Sequence, residues 1–366
     1  MKKTGTQSLP VVMYHYVNRL AGSITISPER FDEHCRVLAQ QGLRGVGLEE
    51  AEAFLIHGEP LPEGSVLLSF DDGFLDNYVH ALPALKRHGH KAVIFAVSSR
   101  LEKGDTPRLP LEQVLEGRAA CRLEVDVPVA TLAGINQRRD VFLNHAEARL
   151  IHEEGTLAVA SHSRGHYGVF IGPDYKDVFR PRPCYRTFYR TEIEPVFGLP
   201  DFTVKAGLAH RAFVPNPDLV DAVKKLVPQD YEAAVNFFAN QHSRAELDLL
   251  LHGFAGRMGD YETETERSER IHREIVGGKQ ELEAILGQKV KSLCWPWGRY
   301  DAAARDCALE AGFELLFTTK EGANPPGKPL AVHRFKGKNQ AGAWLANRVR
   351  LYSRPLLGTL YARIRL

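Results

Sequence analysis

Two neighbouring carboxylates form the first feature of the sequence that could do chemistry. The segment 69–73 ends an apolar run with Asp71 and Asp72, and Gly73 permits the backbone to bend directly after them. Adjacent carboxylates repel each other, so one takes up a proton unless a cation is present. The pair therefore predicts a divalent metal site in which one aspartate binds the ion and the other stays nearby as a base. Taken alone, an Asp-Asp-Gly turn in a surface loop is the alternative interpretation.

A pair of histidines could complete such a site. His162 and His166 are four residues apart, a spacing that places both imidazoles on one face of a helical turn. With Asp72 they make a two-histidine, one-carboxylate set that leaves positions open for water and substrate. Zinc in such a set lowers the pKa of bound water to about 7 and polarises a carbonyl group. The alternative for the histidines alone is a helix face without a ligand.

The elements around these residues predict an α/β fold. Short apolar runs such as 66–70, 92–97 and 157–160 have the composition of buried parallel strands, and amphipathic stretches separate them. Polar residues follow four of these runs, and they are His15, Asp71 with Asp72, His162, and Pro296-Trp297-Gly298. In a β/α barrel the carboxyl ends of the strands converge on one face, where active sites lie. An open sheet is the alternative to a barrel.

Two regions and a tail depart from the alternation of strand and helix. We interpret residues 101–143 and 168–267 as insertions carried by loops. The second begins with an aromatic and basic stretch that could bind a sugar chain carrying acidic groups, or could pack its own rings: Tyr175, Arg180, Arg182, Tyr185, Arg186, Phe188, Tyr189 and Arg190. The tail, 336–366, is basic and amphipathic, and its apolar stripe either packs on the barrel or contacts an anionic membrane through 341–366. The stripe comprises Leu345, Val349, Tyr352, Leu356, Leu360 and Ile364.

Composition excludes several classes of protein. The 366-residue chain has a net charge of +2, which argues against a polyanion-binding protein, and we expect no nucleic-acid partner. No glycine-rich phosphate loop follows any strand, so a nucleotide enzyme is not indicated. The five cysteines include no Cys-x-x-Cys pair, which favours reduced thiols. We find neither a signal-peptide core nor a membrane-spanning run, and therefore expect a cytoplasmic protein, with the inner face of the membrane as a peripheral site.

The combination of segments resembles the polysaccharide deacetylase family, or carbohydrate esterase family 4. Phe70-Asp71-Asp72-Gly73 and His162-Ser163-Arg164-Gly165-His166 are similar to its first two motifs, and Trp295-Pro296-Trp297-Gly298 is similar to its Pro-Tyr-Gly segment. The opening Val12-Met13-Tyr14-His15 resembles the N-terminal histidine motif of a circularly permuted branch, which includes poly-N-acetylglucosamine deacetylases. The resemblance covers roughly 8–100, 144–167 and 268–335.

The resemblance implies a fold and a role for each matching residue. The fold is a distorted (β/α)7 barrel, with residues 1–335 as the catalytic domain. Asp71 would be the general base, and the metal ligands would be Asp72, His162 and His166. The backbone of Trp297 would stabilise the oxyanion, and its indole ring, in place of the family's usual Tyr side chain, would change the substrate wall. The expected metal is Zn²⁺, with Co²⁺, Ni²⁺, Mn²⁺ or Fe²⁺ as alternatives.

The general acid is less clearly specified by the sequence. His15 matches the permuted branch's histidine and is the first candidate for protonating the leaving amine. His333 and Arg334 follow another strand-like run and compete for the acid or orienting role. Amide hydrolysis requires a base, a Lewis acid and an acid, and the candidate residues supply all three.

The functional hypothesis is a hydrolase that removes N-acetyl groups from an N-acetylhexosamine of a cell-surface glycan or a lipid-linked precursor, as in lipopolysaccharide or O-antigen synthesis. An O-acetyl esterase acting on a polysaccharide is the nearest alternative. A non-haem iron oxygenase also uses two histidines and one carboxylate, but it needs no second aspartate. A glycan-binding protein without activity is a further alternative.

Overall fold

A computed structural model describes residues 7–20, 22–118, 138–181 and 191–364, and a sheet of parallel strands lies at its centre. The strands of the described residues are β1 Val11–Tyr14, β2 Tyr16–Val17, β3 Thr25–Ile26, β4 Arg44–Gly45, β5 Ser65–Phe70, β6 Ala92–Ala96, β7 Leu157–Ser161, β8 Gly168–Val178, β9 Pro200–Ala206, β10 Phe213–Pro215, β11 Gly259–Tyr261, β12 Ser292–Cys294, β13 Leu315–Phe317 and β14 Phe335–Lys336. The central sheet has the order β13–β12–β7–β6–β5–β1–β14, and β4 pairs with the start of β5. Its seven strands curl into the distorted β/α barrel predicted from the sequence.

Helices connect the strands and cover the outside of the sheet. The helices are α1 Pro28–Gln40, α2 Leu48–His57, α3 Leu82–Arg87, α4 Leu111–Leu115, α5 His145–Glu154, α6 Pro217–Leu226, α7 Tyr231–Ala239, α8 Gln241–Gly253, α9 Glu264–His272, α10 Gly278–Leu286, α11 Ala302–Glu310, α12 Gly342–Tyr352 and α13 Pro355–Ile364. Two π-helical turns, Asn77–Ala81 and Arg273–Gly277, precede α3 and α10. The sequence predicts amphipathic helical stretches over residues 28–41, 78–88, 145–154 and 302–311, and α1, α3, α5 and α11 lie within them.

The first helix shows how local sequence sets these elements. The Ser27 side chain accepts a hydrogen bond from the backbone N–H of Arg30 at 3.2 Å, and Pro28 occupies the first helical turn. Phe31, Cys35 and Leu38 then recur at helical spacing and are buried against the sheet. A capped start and an apolar stripe therefore place α1 along the outside of β1.

Both faces of the strands are buried, because helices cover the outer face and side chains fill the inner one. In β5, Val66 and Leu68 belong to the outer core that the helices share, whereas Leu67 belongs to a separate inner cluster. That inner cluster also contains Phe95 of β6 and Phe317 of β13, whose ring centroids are 4.8 Å apart. The barrel interior is therefore a packed core, which leaves the carboxyl ends of the strands as the place for a site.

The two predicted insertions pack differently on this barrel. Within the described residues, the end of the first insertion contacts the turn after β5 that contains the two aspartates. The N–H of Leu143 donates to the carbonyl of Gly73 at 2.9 Å. The second contains the antiparallel pairs β8–β9 and β10–β11 and helices α6 to α8. Its apolar side chains form their own cluster around Phe202 and Leu219. The domain boundaries given above remain a prediction.

The predicted amphipathic tail contains two helices, of which one buries its large apolar side chains and the other exposes them. Helix α12 packs on α1 and buries Leu345, Val349 and Tyr352. Helix α13 instead turns Leu356 and Leu360 to solvent, with 87% and 57% of their surface exposed. Among the residues that the structure describes, no helix is long and apolar enough to cross a membrane. The first half of the predicted stripe therefore packs on the barrel, and the second half does not.

Candidate metal centre and catalytic site

The carboxyl ends of the strands bring the predicted site residues together. His15 follows β1, the two aspartates follow β5, His162 follows β7, and Trp297 follows β12 by three residues. The N–H of Asp71 donates to the carbonyl of Tyr14 at 3.0 Å, which places the turn after β5 beside the end of β1. Residues far apart in sequence thus meet at one end of the sheet, as the pattern of polar strand ends predicts.

Three ligand atoms converge at this end of the barrel. Asp72 Oδ1 lies 3.6 Å from Nε2 of His162 and 3.7 Å from Nε2 of His166. Burial lowers the pKa of both histidines, so the rings are neutral and each can offer a nitrogen lone pair. The arrangement is the two-histidine, one-carboxylate set expected from the sequence.

The electrostatics of Asp72 fit a bound cation. Burial, and next the charge of Asp71, raise the pKa of Asp72 well above its usual range. Among the described residues, Asp72 Oδ1 is buried and accepts no hydrogen bond. A buried carboxylate oxygen without a donor is unfavourable. A divalent ion bound to Asp72, His162 and His166 would remove this penalty, so the residues present fit the metal.

A backbone carbonyl orients the first histidine of the set. Nδ1 of His162 lies 2.8 Å from the carbonyl oxygen of Cys294. A carbonyl can only accept a hydrogen bond, so Nδ1 carries the proton and Nε2 is left as the ligand atom. Cys294, at the end of strand β12, therefore sets the tautomer of His162, the candidate ligand that follows β7.

The histidine pair does not lie on a helical turn, and this part of the sequence prediction is wrong. Residues 162–166 form a loop after β7, in which Ser163 and His166 have φ values of 63° and 58°. These left-handed conformations reverse the chain and bring the two rings to a centroid distance of 4.8 Å. The spacing of four residues is thus satisfied by a strained loop instead of a helix.

A buried glutamate holds this loop, and the sequence analysis did not identify it. Glu274, on the π-helical turn before α10, accepts hydrogen bonds from Ser163 Oγ at 3.1 Å and from the N–H of Gly165 at 2.9 Å. Its own carbonyl accepts from the N–H of Arg164 at 2.9 Å. The only signal in the sequence is a glutamate within an otherwise ordinary amphipathic helix, which is too common to indicate such a role.

The other aspartate has a different partner. Arg334 donates to both oxygens of Asp71, at 2.6 Å to Oδ1 and 2.9 Å to Oδ2, and both side chains are buried. Burial opposes ionisation, but the positive charge of Arg334 outweighs it and holds the pKa of Asp71 well below its usual range. Of the roles left open for Arg334, the structure favours orienting Asp71 over donating a proton, because its pKa is raised.

A second group of possible ligands, Asp71, His162 and Cys294, lies beside the first. The Cys294 thiol is 3.8 Å from Oδ1 of Asp71, and burial raises the pKa of this thiol well above its usual value. Since Arg334 already occupies both oxygens of Asp71, this group is the weaker candidate for a metal. Asp72 is therefore the better ligand and Asp71 the better base.

The two candidate acids occupy different places. His15 Nε2 is 3.9 Å from Asp71 Oδ2, whereas the His333 ring packs against Gly322 while Asn324 bonds its backbone. Burial lowers the pKa of His15 to about 4, which the nearby charge of Asp71 only partly offsets. His15 is thus the histidine beside the base, but it lacks the near-neutral imidazole pKa of about 6.5 that a general acid ordinarily has.

The candidate oxyanion residue lies beside the second histidine. Trp297 has a φ of 61°, and its ring stacks on that of His166 at a centroid distance of 6.3 Å and an interplanar angle of 25°. Trp297 is 36% exposed, so its indole contributes a flat apolar surface next to the candidate metal ligands. The indole therefore forms part of the wall that a substrate would contact.

Unusual backbone angles are concentrated here. Within the described residues, the non-glycine residues with positive φ are Asp72, Ser163, His166 and Trp297, and each lies in one of the three turns that build the site. Such conformations cost about 1–3 kcal/mol each, and they persist where surrounding contacts impose them. The predicted roles of these residues are thus consistent with strain that serves positioning.

The predicted sugar-binding stretch is only partly visible. Residues 182–190 lie outside the described residues, and so do the predicted Arg182, Tyr185, Arg186, Phe188, Tyr189 and Arg190. The Tyr175 ring makes an edge contact with Phe202 at 6.0 Å, and the Arg180 guanidinium lies over the Phe238 ring at 5.5 Å. These two residues therefore pack within the insertion, which favours the self-packing alternative for them.

We predict that His162→Ala removes the bound divalent ion, because only two of the three ligand atoms then remain. Metal content of the purified protein, measured by plasma mass spectrometry, provides the test. His333→Ala is the matched control and should retain the wild-type content. An unchanged metal content in His162→Ala would contradict the assignment.

We predict that Glu274→Ala weakens metal binding by about 10–100-fold, since the loop then loses the acceptor that holds it. Titration against a metal-binding dye gives the affinity. Glu283→Ala, which removes a carboxylate bonded to Lys279 on the same helical segment, is the control and should not change it. Equal affinity in both variants would show that Glu274 does not position the ligands.

Part of the chain matches a known protein family. Residues 58–189 match the family model for polysaccharide deacetylase. A Bacillus subtilis protein, YxkH, whose name refers to polysaccharide deacetylases, is 34% identical over 108 residues, which are 30% of this chain and 38% of YxkH. The chain thus spans well under half of that relative.

Solved structures share the fold over nearly the whole chain. A de-N-acetylase from Aggregatibacter actinomycetemcomitans matches with a TM-score of 0.59 at 20% identity, covering 93% of this chain and 98% of that one. IcaB from Ammonifex degensii matches with a TM-score of 0.53 at 18% identity, covering 94% and 98%. The Streptococcus pyogenes deacetylase PplD, solved with acetate, matches with 0.52 at 15% identity, covering 93% and 98%. Residues 58–189 thus match the polysaccharide deacetylase family model, and the chain shares its fold with these solved deacetylases.

Proposed function

We propose that this protein is a metal-dependent deacetylase that removes N-acetyl groups from an N-acetylhexosamine of a cell-surface glycan or its lipid-linked precursor. The observation that carries the proposal is the division of roles between the two aspartates. Arg334 engages both oxygens of Asp71, whereas Oδ1 of Asp72 faces two histidine nitrogens. One carboxylate is thereby kept as an ionised base and the other is available as a ligand.

The residues of the site supply the steps of amide hydrolysis. A divalent ion, when bound at Asp72, His162 and His166, supplies Lewis-acid polarisation of the acetyl carbonyl and lowers the pKa of water. Asp71, kept ionised by Arg334, accepts a proton from the attacking water. The backbone N–H of Trp297 is the proposed donor to the oxyanion. Zn²⁺ is the expected ion because it suits a set of two imidazoles and one carboxylate.

The departing amine needs a proton, and His15 is the group we assign to deliver it. With its pKa lowered to about 4 by burial, His15 is neutral in the resting site at neutral pH. It therefore has to receive the proton that it passes on. Asp71, 3.9 Å away, holds such a proton after it has deprotonated water. The protons balance, because one is taken from water and one is delivered to the nitrogen as the C–N bond breaks.

The proposed substrate rests on the match to the family model and on the exposed Trp297 side chain. The match of residues 58–189 to the polysaccharide deacetylase family model supports an acetylated polysaccharide as the substrate class. The exposed Trp297 indole next to the ligands offers an apolar surface for a sugar ring. We place the protein in the cytoplasm, where a lipid-linked precursor of lipopolysaccharide or O-antigen type is the glycan within reach. Release of acetate from an N-acetylated oligosaccharide, abolished by a chelator and restored by Zn²⁺, is the direct test.

We predict that Asp71→Asn lowers turnover by about 10²–10⁴-fold while the metal stays bound, because asparagine cannot accept the proton. Acetate release and metal content are measured on the same preparation. The midpoint temperature of thermal unfolding shows whether the variant stays folded without the Arg334 ion pair. Asp72→Asn is the matched variant and should lose the metal. Loss of the metal in Asp71→Asn but not in Asp72→Asn would make Asp71 the ligand and Asp72 the base.

We predict that His15→Ala impairs amide hydrolysis far more than hydrolysis of an activated acetyl ester. An activated ester's leaving group departs with little help from an acid, whereas an amine requires a proton. The measurement is the ratio of kcat/KM for the two substrates in wild type and variant, with His333→Ala as control. Equal losses on both substrates would assign His15 a structural role. Faster turnover of a natural O-acetyl ester than of the amide would favour the esterase alternative.

A further inference from the structure

Helix α13 presents its large apolar side chains to solvent. Leu356, Leu360 and Ile364 recur every four residues and therefore share one face, where 87%, 57% and 75% of their surface is exposed. Leu357 borders this face and is 45% exposed. We call these four residues the α13 stripe. On the opposite side, Gly358 and Ala362 are buried, and Gly358 faces Tyr352 and Ala323.

This orientation is the reverse of that in an ordinary surface helix. A surface helix turns its large apolar residues to the core and its polar residues outward, as α12 does with Leu345 and Val349. In α13 the smallest residues face the protein. Of the thirteen exposed large hydrophobic residues in the described part of the chain, four form the α13 stripe. A patch of this kind indicates a contact with another apolar phase or molecule.

The charge around the stripe limits what that contact can be. No acidic residue follows Glu321 in the sequence. The charged residues of the segment 336–366 are therefore all basic, and they are Lys336, Lys338, Arg348, Arg350, Arg354, Arg363 and Arg365. Arg354 precedes the helix, Arg363 lies near its end, and both are exposed. A second copy of the chain would bring two such basic segments together across a twofold interface, which is electrostatically unfavourable. An anionic surface is complementary.

We propose that the α13 stripe binds the surface of an anionic lipid bilayer, with Arg354 and Arg363 at the phosphate groups. The ten residues of α13 span about 15 Å, half the thickness of the hydrocarbon core, so the helix lies in the interface and does not cross it. Arg348 packs on the rings of Trp344 and Tyr361, at 5.1 and 4.9 Å, and joins α13 to the fixed helix α12. The proposal depends neither on the metal nor on the activity.

Flotation of the full-length protein with lipid vesicles tests the proposal. We expect the protein to float with vesicles that contain about one third phosphatidylglycerol and to float poorly with pure phosphatidylcholine. The double variant Leu356→Glu/Leu360→Glu should reduce the bound fraction at least tenfold. Arg354→Gln/Arg363→Gln should reduce it about tenfold or more, and high salt should have a similar effect.

A matched double variant separates this surface from general hydrophobicity. Val235→Glu/Leu249→Glu replaces two apolar residues of the second insertion that are 42% and 75% exposed, and it should bind vesicles like the wild type. Absence of binding to phosphatidylglycerol vesicles would overturn the proposal. An equal loss of vesicle binding in Leu356→Glu/Leu360→Glu and in Val235→Glu/Leu249→Glu would also overturn it. A dimer detected by light scattering, dissociated by Leu356→Glu/Leu360→Glu, would assign the stripe to a second copy and likewise overturn it.

Discussion

The buried ion pair between Arg334 and Asp71 is the interaction on which the rest of the site depends. Its two hydrogen bonds, at 2.6 and 2.9 Å, keep one member of an adjacent carboxylate pair ionised in a buried setting. Removing one partner of such a pair typically costs about 3–5 kcal/mol, because the other charge is left unpaired. The pair also joins β14 to the turn after β5, so the strand order and the chemistry of the site are coupled.

The same pair explains why two neighbouring aspartates can differ in role. With both oxygens of Asp71 engaged by Arg334, the negative charge that remains unpaired among the described residues of this site is on Asp72. Its pKa is raised by burial and by its neighbour, and two neutral histidines face its Oδ1. A cation at that point relieves the repulsion that otherwise protonates one carboxylate. In the proposed site, a metal ion therefore neutralises Asp72 and Arg334 neutralises Asp71.

Much of this arrangement could be predicted from the sequence, because strand ends in a β/α barrel converge. The polar residues after β1, β5, β7 and β12 therefore predicted a common site. The backbone of residues 162–166 could not be predicted, since Glu274, which accepts hydrogen bonds from Ser163 and Gly165, lies more than a hundred residues later. Arg334 was named only as a competitor, because a pairing across 263 positions has no local signal.

The position of the bound ion is the measurement that tests the account most directly. A crystal of the protein grown with Zn²⁺ and soaked with acetate can be measured at the zinc absorption edge, where anomalous scattering locates the ion. We expect a single peak ligated by Asp72, His162 and His166, with acetate beside it and with Arg334 still bonded to Asp71. A peak ligated by Asp71, His162 and Cys294, with Arg334 displaced, would contradict the division of roles between the two aspartates.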